Sequence, residues 1–162
     1  MSQKTIYFGY GSNLWLDQMK RRCPDSKYIG FGSLVNWKWI INIRGYANIV
    51  PSPGDVVYGL MYELTPSDER DLDIYEGSAY EKQIIQVDLH HAKETESTES
   101  VSALVYIDLE RKSESHPRKE YIYRMNMGIA DALQEGVPSD YIIKYLAVFI
   151  PPPDNQAVLN AN

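Results

Sequence analysis

Runs of β-branched and aromatic residues dominate the first two thirds of the chain, and such runs are typical of strands. They lie at residues 4–9, 27–43, 46–50, 55–64, 80–89 and 101–109. The Pro-Gly pair of "PSPGD", residues 51–55, predicts a turn between two of these runs. The pattern therefore predicts about six strands, most of them joined by short connections.

Apolar residues at spacings of three and four predict a helix late in the chain. The residues with this spacing are Ile122, Met125, Ile129 and Leu133. Pro117 precedes them and Gly136 follows them, so we expect a helix over residues 118–135. A second, shorter helix is expected to begin near Pro138 or Ser139.

Capping residues predict two more short helices. The segment "SNLWLDQMKRRC", residues 12–23, is expected to form a helix capped by Ser12 or Asn13. Thr65, Pro66 and Asp68 are typical of a helix start, and Gly77 is typical of a helix end. The second of these helices would therefore end at Glu76.

Strands come first and the main helix late, without strict βα alternation. This order favours an α+β fold with a curved or barrel-like mixed β-sheet and a few helices. The polar segment at 92–100 is expected to be a flexible hairpin loop. At 162 residues the chain fits one core, so we expect a single domain over 1–150 and a proline-rich C-terminal tail over 151–162.

The net charge and the hydropathy of the chain argue against two classes of function, nucleic-acid binding and membrane association. The formal net charge is -6 and the basic residues are scattered, which disfavours nucleic-acid binding. The sequence has no stretch of about 20 apolar residues and no apolar signal region near its start, so no membrane association is expected. We therefore expect a cytoplasmic protein.

The side chains most used for metal binding and nucleophilic catalysis are few. Cys23 is the single cysteine, and the three histidines show no helical i, i+4 pair. Neither Cys23 nor Ser12 has an evident base partner in the sequence. We expect no metal and no cofactor, and a nucleophile, if one is needed, would come from elsewhere.

The stretch "YFGYGSNL", residues 7–14, carries small residues directly after the first predicted strand. Successive backbone N–H groups of such a turn can converge on an anion, and a carboxylate would be a natural guest. The stretch is too short for a phosphate loop and no lysine follows it. Taken alone, the stretch is more simply explained as a plain strand-to-helix turn.

Glu76 lies where a helix is expected to end. The negative end of the helix dipole raises the pKa of a carboxyl there, and burial beside Tyr75 and Tyr80 would raise it further. A carboxyl tuned in this way suits proton transfer near neutral pH. The alternative is a solvated glutamate at a helix end, and the motif alone does not decide between them.

Tyrosine is unusually frequent, with 13 in the chain against 3 phenylalanines. Those in or near the stretches above are Tyr7, Tyr10, Tyr80, Tyr106 and Tyr121. Most are expected to be core residues whose hydroxyl groups reach the surface.

Taken together, "YFGYGSNL", "SPGDVVYGLMYEL", "LDIYEGSAY", "YIYRMNMG" and "GVPSDY" resemble, in order and spacing, the γ-glutamylcyclotransferase family that includes the AIG2-like proteins. The resemblance covers about residues 5–150 and is weakest from about 90 to 118. It implies an enzyme that closes the γ-glutamyl group of its substrate to 5-oxoproline. The substrate's own α-amine is the nucleophile, which accounts for the missing Ser, Cys and His machinery.

The resemblance also implies residue roles. Glu76 would be the general base that later returns a proton to the departing nitrogen. The residues implied to contact the substrate are Tyr7, Phe8, Gly9, Tyr10, Gly11, Ser12, Asn13, Tyr80 and Tyr121. The expected partner is a small γ-glutamyl molecule, and a homodimer is possible because family members are often dimers.

Two alternatives stay open within this resemblance. The leaving group could be an amino acid, an amine or part of a glutathione-derived conjugate of specialised metabolism. The chain could instead be a catalytically idle module that binds a carboxylate or a partner protein, although the retention of Glu76 argues against that alternative.

Overall fold

A computed structural model describes residues 4–92 and 98–153 of the chain. Its strands are β1 (Thr5–Gly9), β2 (Lys27–Ile41), β3 (Ala47–Leu64), β4 (Glu81–His91) and β5 (Thr98–Ile107). Its helices are α1 (Leu16–Arg22), α2 (Pro66–Glu76), α3 (Lys119–Glu135) and α4 (Ser139–Tyr141). A 3₁₀ turn at Ser12–Leu14 precedes α1, and a π-helical turn at Ile142–Leu146 continues α4.

The five strands form a closed barrel in the order β1-β3-β2-β4-β5. Every pairing is antiparallel except β1 with β5, which are parallel and meet at Tyr7 and Leu104. Closure therefore joins the start of the chain to a strand about a hundred residues later. The expected α+β fold with a barrel-like mixed sheet is confirmed.

One predicted turn is wrong, because "PSPGD" lies inside a single long strand. β3 runs without interruption from Ala47 to Leu64 and pairs with β2 along its length. Val35 pairs with Val56 but Trp37 pairs with Pro51, so residues 52–55 bulge opposite Asn36 alone. Asn36 has a positive φ of 68°, and its Oδ1 accepts the Gly54 N–H at 3.0 Å. The prolines sit where a bulge tolerates them, and the expected six strands become five in the described residues.

Helix α2 begins and ends where the sequence predicts. Thr65 caps it through a reciprocal capping box with Asp68, and Pro66 is its first residue. Gly77, with a positive φ of 79°, lets the chain leave the helix directly after Glu76. This places Glu76 at the C-terminal end of the helix, as expected.

The predicted cap of α1 is wrong. Ser12 and Asn13 belong to the preceding 3₁₀ turn, and Trp15 occupies the N-cap position without a side-chain cap. The Leu16 N–H instead donates to Asp131 Oδ2 at 2.9 Å. A carboxylate from α3 therefore replaces the local cap, a long-range solution that local sequence signals do not reveal.

The late helices agree with expectation, with one difference in the buried face. α3 ends at Gly136 in the left-handed conformation, and α4 starts at Ser139. The residues of α3 that are buried are Tyr121, Met125, Gly128 and Ala132. Leu133 is 41% exposed, because the helix packs through the face that carries Tyr121, Met125, Gly128 and Ala132.

Two further expectations are tested only in part. β4 and β5 pair as an antiparallel hairpin up to His90 and Thr98, while positions 93–97 of the predicted loop lie outside the described residues. Residues 151–153 of the predicted tail form neither helix nor strand, and 154–162 are outside the described residues. Within the described part of the chain, no helix is both long and apolar enough to cross a bilayer.

Candidate active site

A cavity of about 180 Å³ opens beside the end of β1. It is bordered by the segment after β1, the hairpin tip between β2 and β3, the end of α2, and α3. The predicted site residues that line it are Tyr7, Phe8, Tyr10, Gly11, Ser12, Asn13, Glu76, Tyr80 and Tyr121. One cavity therefore gathers residues that lie more than a hundred positions apart in the sequence.

The loop after β1 is held by a network of side-chain hydrogen bonds. Gln18 Nε2 donates to Ser12 Oγ and to Asn13 Oδ1, both at 2.9 Å. Tyr62 Oη donates to the Asn13 carbonyl oxygen at 2.7 Å. Ser12 and Asn13 are buried, so these bonds satisfy polar groups that would otherwise be costly to bury. The loop is thus fixed before any ligand arrives.

Two glycines of the loop have different roles. A Cβ on Gly11 would stand 2.8 Å from Tyr121 Oη and 3.1 Å from Ala47 Cβ, so a side chain there would displace the tyrosine. Gly9 does not line the cavity, and a Cβ there would lie 3.2 Å from the Tyr7 ring. Gly9 therefore acts on the site through close packing against Tyr7.

Hydrogen bonds within the protein occupy one backbone donor of the loop and the hydroxyl groups of three tyrosines. The Ser12 N–H donates to Tyr121 Oη at 3.1 Å. The Tyr10 hydroxyl donates to the Tyr106 carbonyl oxygen at 2.5 Å, and Tyr80 Oη donates to the Ala47 carbonyl oxygen at 2.7 Å. These contacts hold three tyrosines around the cavity with their ring edges fixed.

The Glu76 carboxyl lies inside the cavity. Tyr7 Oη donates to Glu76 Oε1 at 3.4 Å and accepts from Asn13 Nδ2 at 3.0 Å. Burial raises the pKa of Glu76 to about 7, although Arg22, the Tyr7 hydroxyl and Arg124 all act to lower it. The position at the end of α2 acts in the same direction as burial. Tyr75, expected to help bury Glu76, is 54% exposed and lies at the rim.

The cavity tyrosines stay protonated at neutral pH. Burial raises the pKa of Tyr121 to about 12 and the pKa values of Tyr7 and Tyr80 well above the ordinary value. Each phenol is therefore available as a hydrogen-bond donor or acceptor but carries no charge.

Three arginines of the cavity were not predicted from the sequence. Arg22 comes from α1, Arg44 from the hairpin tip and Arg124 from α3. Arg124 pairs with Glu120 at 2.9 Å. Among the described residues, no carboxylate lies within 4 Å of Arg22 or Arg44. The cavity therefore has a positive character that suits a ligand with a carboxylate.

Arg44 has the least satisfied side chain of the three. Its Nη1 is buried and has no hydrogen-bond acceptor among the described residues. Its guanidinium lies 5.3 Å from the centre of the Tyr46 ring and 5.9 Å from that of Tyr80. Arg44 therefore lines the cavity with a cation that has no carboxylate partner among the described residues, and such a group can bind an anionic oxygen.

The arrangement combines a carboxyl whose pKa is about 7 with cations and neutral phenols in one small cavity. Such a site can take up and return one proton while neighbouring donors stabilise a developing oxyanion. In the described part of the chain, no three His, Cys, Asp or Glu side chains gather as ligands for a metal ion.

Comparison with known proteins gives the family of this chain. The model of the family "Gamma-glutamyl cyclotransferase, AIG2-like" matches residues 7–124. The chain belongs to this family. The gamma-glutamylcyclotransferases of Homo sapiens and Mus musculus are 26% and 27% identical to it over 153 residues, which cover 88% of this chain and 78% of each relative.

Solved structures confirm the fold. A structure named gamma-glutamyl cyclotransferase superposes with a TM-score of 0.76 at 22% identity and covers 99% of this chain and 100% of its own. A crystal structure of a human protein described as uncharacterized superposes with a TM-score of 0.75 at 26% identity, covering 93% of this chain and 90% of its own. The barrel and its helices are therefore those of the family.

Proposed function

We propose that this protein is a γ-glutamylcyclotransferase, which converts a γ-glutamyl amide to 5-oxoproline and releases the amine. The α-amine nitrogen of the substrate attacks its own γ-carbonyl carbon, and the amide C–N bond breaks. No oxidant, water or cofactor is consumed. The observation that carries the proposal is the Glu76 carboxyl, whose pKa of about 7 suits proton transfer inside a cavity bordered by the Tyr-Gly-Ser-Asn loop.

Glu76 acts as the proton carrier. In its ionised form it accepts the proton of the attacking α-ammonium group, and it then gives that proton to the leaving nitrogen. The Tyr7 hydroxyl, held by Asn13, contacts Glu76 Oε1 and orients it. A carboxyl with a pKa near the working pH performs both transfers with little energetic penalty.

Arg44 receives the α-carboxylate of the γ-glutamyl group. The Arg44 side chain lines the cavity and has no carboxylate within 4 Å among the described residues, so a bound carboxylate would be its ion-pair partner. The loop from Tyr7 to Asn13, with Tyr80 and Tyr121, encloses the rest of the γ-glutamyl group. Fixing both ends of this group brings its amine toward its carbonyl, and such positioning supplies much of the rate of an intramolecular reaction.

The test is release of 5-oxoproline from a panel of γ-glutamyl amino acids, γ-glutamyl amines and glutathione conjugates. Wild type is compared with Glu76→Gln and with Glu81→Gln, the same change at an exposed position on β4. We expect Glu76→Gln to lose about 10²- to 10⁴-fold in turnover and Glu81→Gln to behave as wild type. Equal turnover in all three proteins would refute the role of Glu76.

The dependence of kcat/KM on pH provides a second test of the same role. Because the base must be ionised, kcat/KM should rise with pH up to about 7 in wild type, following the pKa of Glu76. That titration should be absent from any residual rate of Glu76→Gln. Identical profiles for the two proteins would contradict the proposal.

A binding module is the alternative from another class. Such a module would retain 5-oxoproline or a γ-glutamyl ligand without consuming it, and Arg22, Arg44 and Arg124 alone would account for that binding. Equilibrium binding without product release across the whole panel would support this alternative.

A further inference from the structure

A second groove, of about 450 Å³, adjoins the cavity. The two spaces share Arg22, Tyr75 and Arg124 in their walls. The groove is further lined by Trp15, Gln18, Arg21 and Tyr123. It therefore continues the cavity outward between α1, the end of α2 and α3.

The walls of this groove are aromatic rings stacked with guanidinium groups. The Arg21 guanidinium lies 5.0 Å from the centre of the Trp15 ring, and that of Arg22 lies 4.8 Å from the centre of the Tyr75 ring. Trp15 and Tyr123 contact edge to face at 5.9 Å. Flat walls of this kind favour an aromatic or other planar guest, and the cations favour an anionic one.

The outer aromatic residues are unusually exposed. Tyr75 is 54% exposed and Tyr123 is 61% exposed, in a chain whose other cavity tyrosines are largely buried. Together with Trp15 they line the groove beside the candidate active site. Exposed aromatic side chains next to a pocket commonly mark a surface that binds part of a ligand.

The position of Glu76 links this groove to the reaction. Glu76 must reach the leaving nitrogen in order to protonate it. Of the charged groups that act on its pKa, Arg22 and Arg124 are the arginines, and both belong to the walls of the groove. A leaving group that departs from the side of Glu76 therefore meets this groove first.

We infer that the groove binds the leaving group of the substrate and selects one that carries both an aromatic ring and a carboxylate. The inference rests on the proposed cyclotransferase function. The ring would pack between Trp15, Tyr75 and Tyr123. The carboxylate would meet Arg22, or would compete for Arg21 with Asp17, whose Oδ2 lies 3.0 Å from Arg21 Nε. Small uncharged amines would leave the groove unfilled.

Four substrates separate the two features. They are γ-glutamyl-phenylalanine with ring and carboxylate, γ-glutamyl-phenethylamide with the ring alone, γ-glutamyl-alanine with the carboxylate alone, and γ-glutamyl-ethylamide with neither. We expect kcat/KM to be highest for the first and lowest for the last, with each feature contributing at least about fivefold. Equal kcat/KM for all four would refute the inference while leaving the proposed function intact.

Substitutions of groove residues test whether the groove causes this substrate preference. Tyr123→Ala should reduce the ratio of kcat/KM for γ-glutamyl-phenylalanine to that for γ-glutamyl-alanine, and Met127→Ala, which changes a residue on the same helix outside the groove, should not. Arg21→Gln should reduce the advantage of the carboxylate, with Arg70→Gln at an exposed position of α2 as its control. Unchanged ratios in both groove variants would overturn the assignment.

The inference remains testable if no substrate is turned over. The four compounds are then titrated into Glu76→Gln by calorimetry, which measures binding without chemistry. Tightest binding of γ-glutamyl-phenylalanine, weakened by Tyr123→Ala, would support the groove although the proposed reaction had failed. Equal affinities for the four compounds would refute the groove as well.

Discussion

The pKa of Glu76 is set by opposing influences, of which burial is the largest. Burial favours its neutral form, whereas Arg22, Arg124 and the Tyr7 hydroxyl favour the carboxylate. A fully exposed glutamate would be ionised at neutral pH, and a buried one without cations would stay protonated. The combination leaves both forms populated near pH 7, which is the condition for accepting and returning a proton.

The raised pKa of Glu76 predicts how the stability of the folded protein changes with pH. The pKa of Glu76 is about 7 in the folded protein, against 4.5 for an ordinary glutamate. At pH values between 4.5 and 7 the folded protein therefore keeps a proton on Glu76 that the unfolded chain has released. Wild type should therefore lose stability as the pH rises from about 4.5 to about 7. Glu76→Gln lacks this titration, and its stability relative to wild type should increase by up to about 3 kcal/mol across that window.

Urea unfolding of wild type and Glu76→Gln at a series of pH values from 4 to 8 measures this effect. All other titrating groups are common to both proteins, so the difference in unfolding free energy isolates Glu76. A difference that stays constant with pH would show that the folded pKa of Glu76 is not raised.

A substitution of Arg44 tests whether its guanidinium contacts the α-carboxylate of the substrate or only adds positive charge to the cavity. Arg44→Gln should raise KM about tenfold or more for a γ-glutamyl substrate, because a charge-assisted hydrogen bond to the α-carboxylate is lost. A substrate whose α-carboxylate is capped as an amide should be poor for wild type and little affected by the substitution. Equal losses for both substrates would mean that Arg44 does not contact this group.

At the scale of elements, the site depends on how closely α3 approaches the 3₁₀ turn at Ser12–Leu14. Gly128 of α3 faces this turn, and a Cβ there would lie 2.8 Å from Leu14 Cβ and 3.0 Å from the Trp15 nitrogen. Asp131, one turn later, accepts the Leu16 N–H. The glycine and the carboxylate together join α3 to the loop that borders the cavity.

Gly128→Ala should therefore destabilise the protein, although alanine is the better helix former. The gain in helix propensity is about 1 kcal/mol, but the neighbours of the new methyl group include backbone, and overpacking of this kind costs about 1–3 kcal/mol. We expect a net loss of stability and a lower kcat, since Tyr121 would move with the helix. Thermal unfolding and turnover are measured beside Gln134→Ala on the exposed face of α3; equal or greater stability of Gly128→Ala would contradict the close approach.

The elements also show what sequence patterns can and cannot reveal. Thr65, Pro66, Asp68 and Gly77 give the bounds of α2 because their capping contacts are local. "PSPGD" misleads because whether a Pro-Gly pair makes a turn or a bulge depends on the partner strand, here at Asn36.

The residues of the site divide in the same way. Glu76 and the loop at 7–14 stand out as local motifs. Arg22, Arg44 and Arg124 do not, because they come from three separate elements and only the closed barrel brings them to one cavity. No spacing along the chain marks them as a set, so their role appears only in three dimensions.

At the scale of the whole molecule, Asp108 joins the connection after β5 to the hairpin between β2 and β3. It follows β5, and its side chain is fully buried. It accepts hydrogen bonds from Asn42 Nδ2 and from the Arg111 guanidinium, both at 3.1 Å. Asn48 Nδ2 donates to the carbonyl oxygens of Asp108 and Arg111. The connection that leads to α3 is thereby fixed to the hairpin that carries Arg44.

Asp108→Ala should cost about 3 kcal/mol or more, because Asn42, Arg111 and backbone N–H groups lose their shared acceptor. Asp71→Ala at an exposed position of α2 provides the matched control and should stay within about 0.5 kcal/mol of wild type. Urea unfolding compares the three proteins. A loss no greater for Asp108→Ala than for Asp71→Ala would show that this cluster does not hold the barrel together.

The hydrogen bond between Ser12 and Tyr121 spans 109 positions of the chain, which bears on the order of events during synthesis. A ribosome that adds about 5–20 residues per second releases the loop several seconds before the helix that completes its cavity. The barrel likewise cannot close until β5 has been synthesised, because β1 pairs with β5. A nascent chain therefore holds every residue of its first motif yet has no pocket until β5 and α3 have also been synthesised.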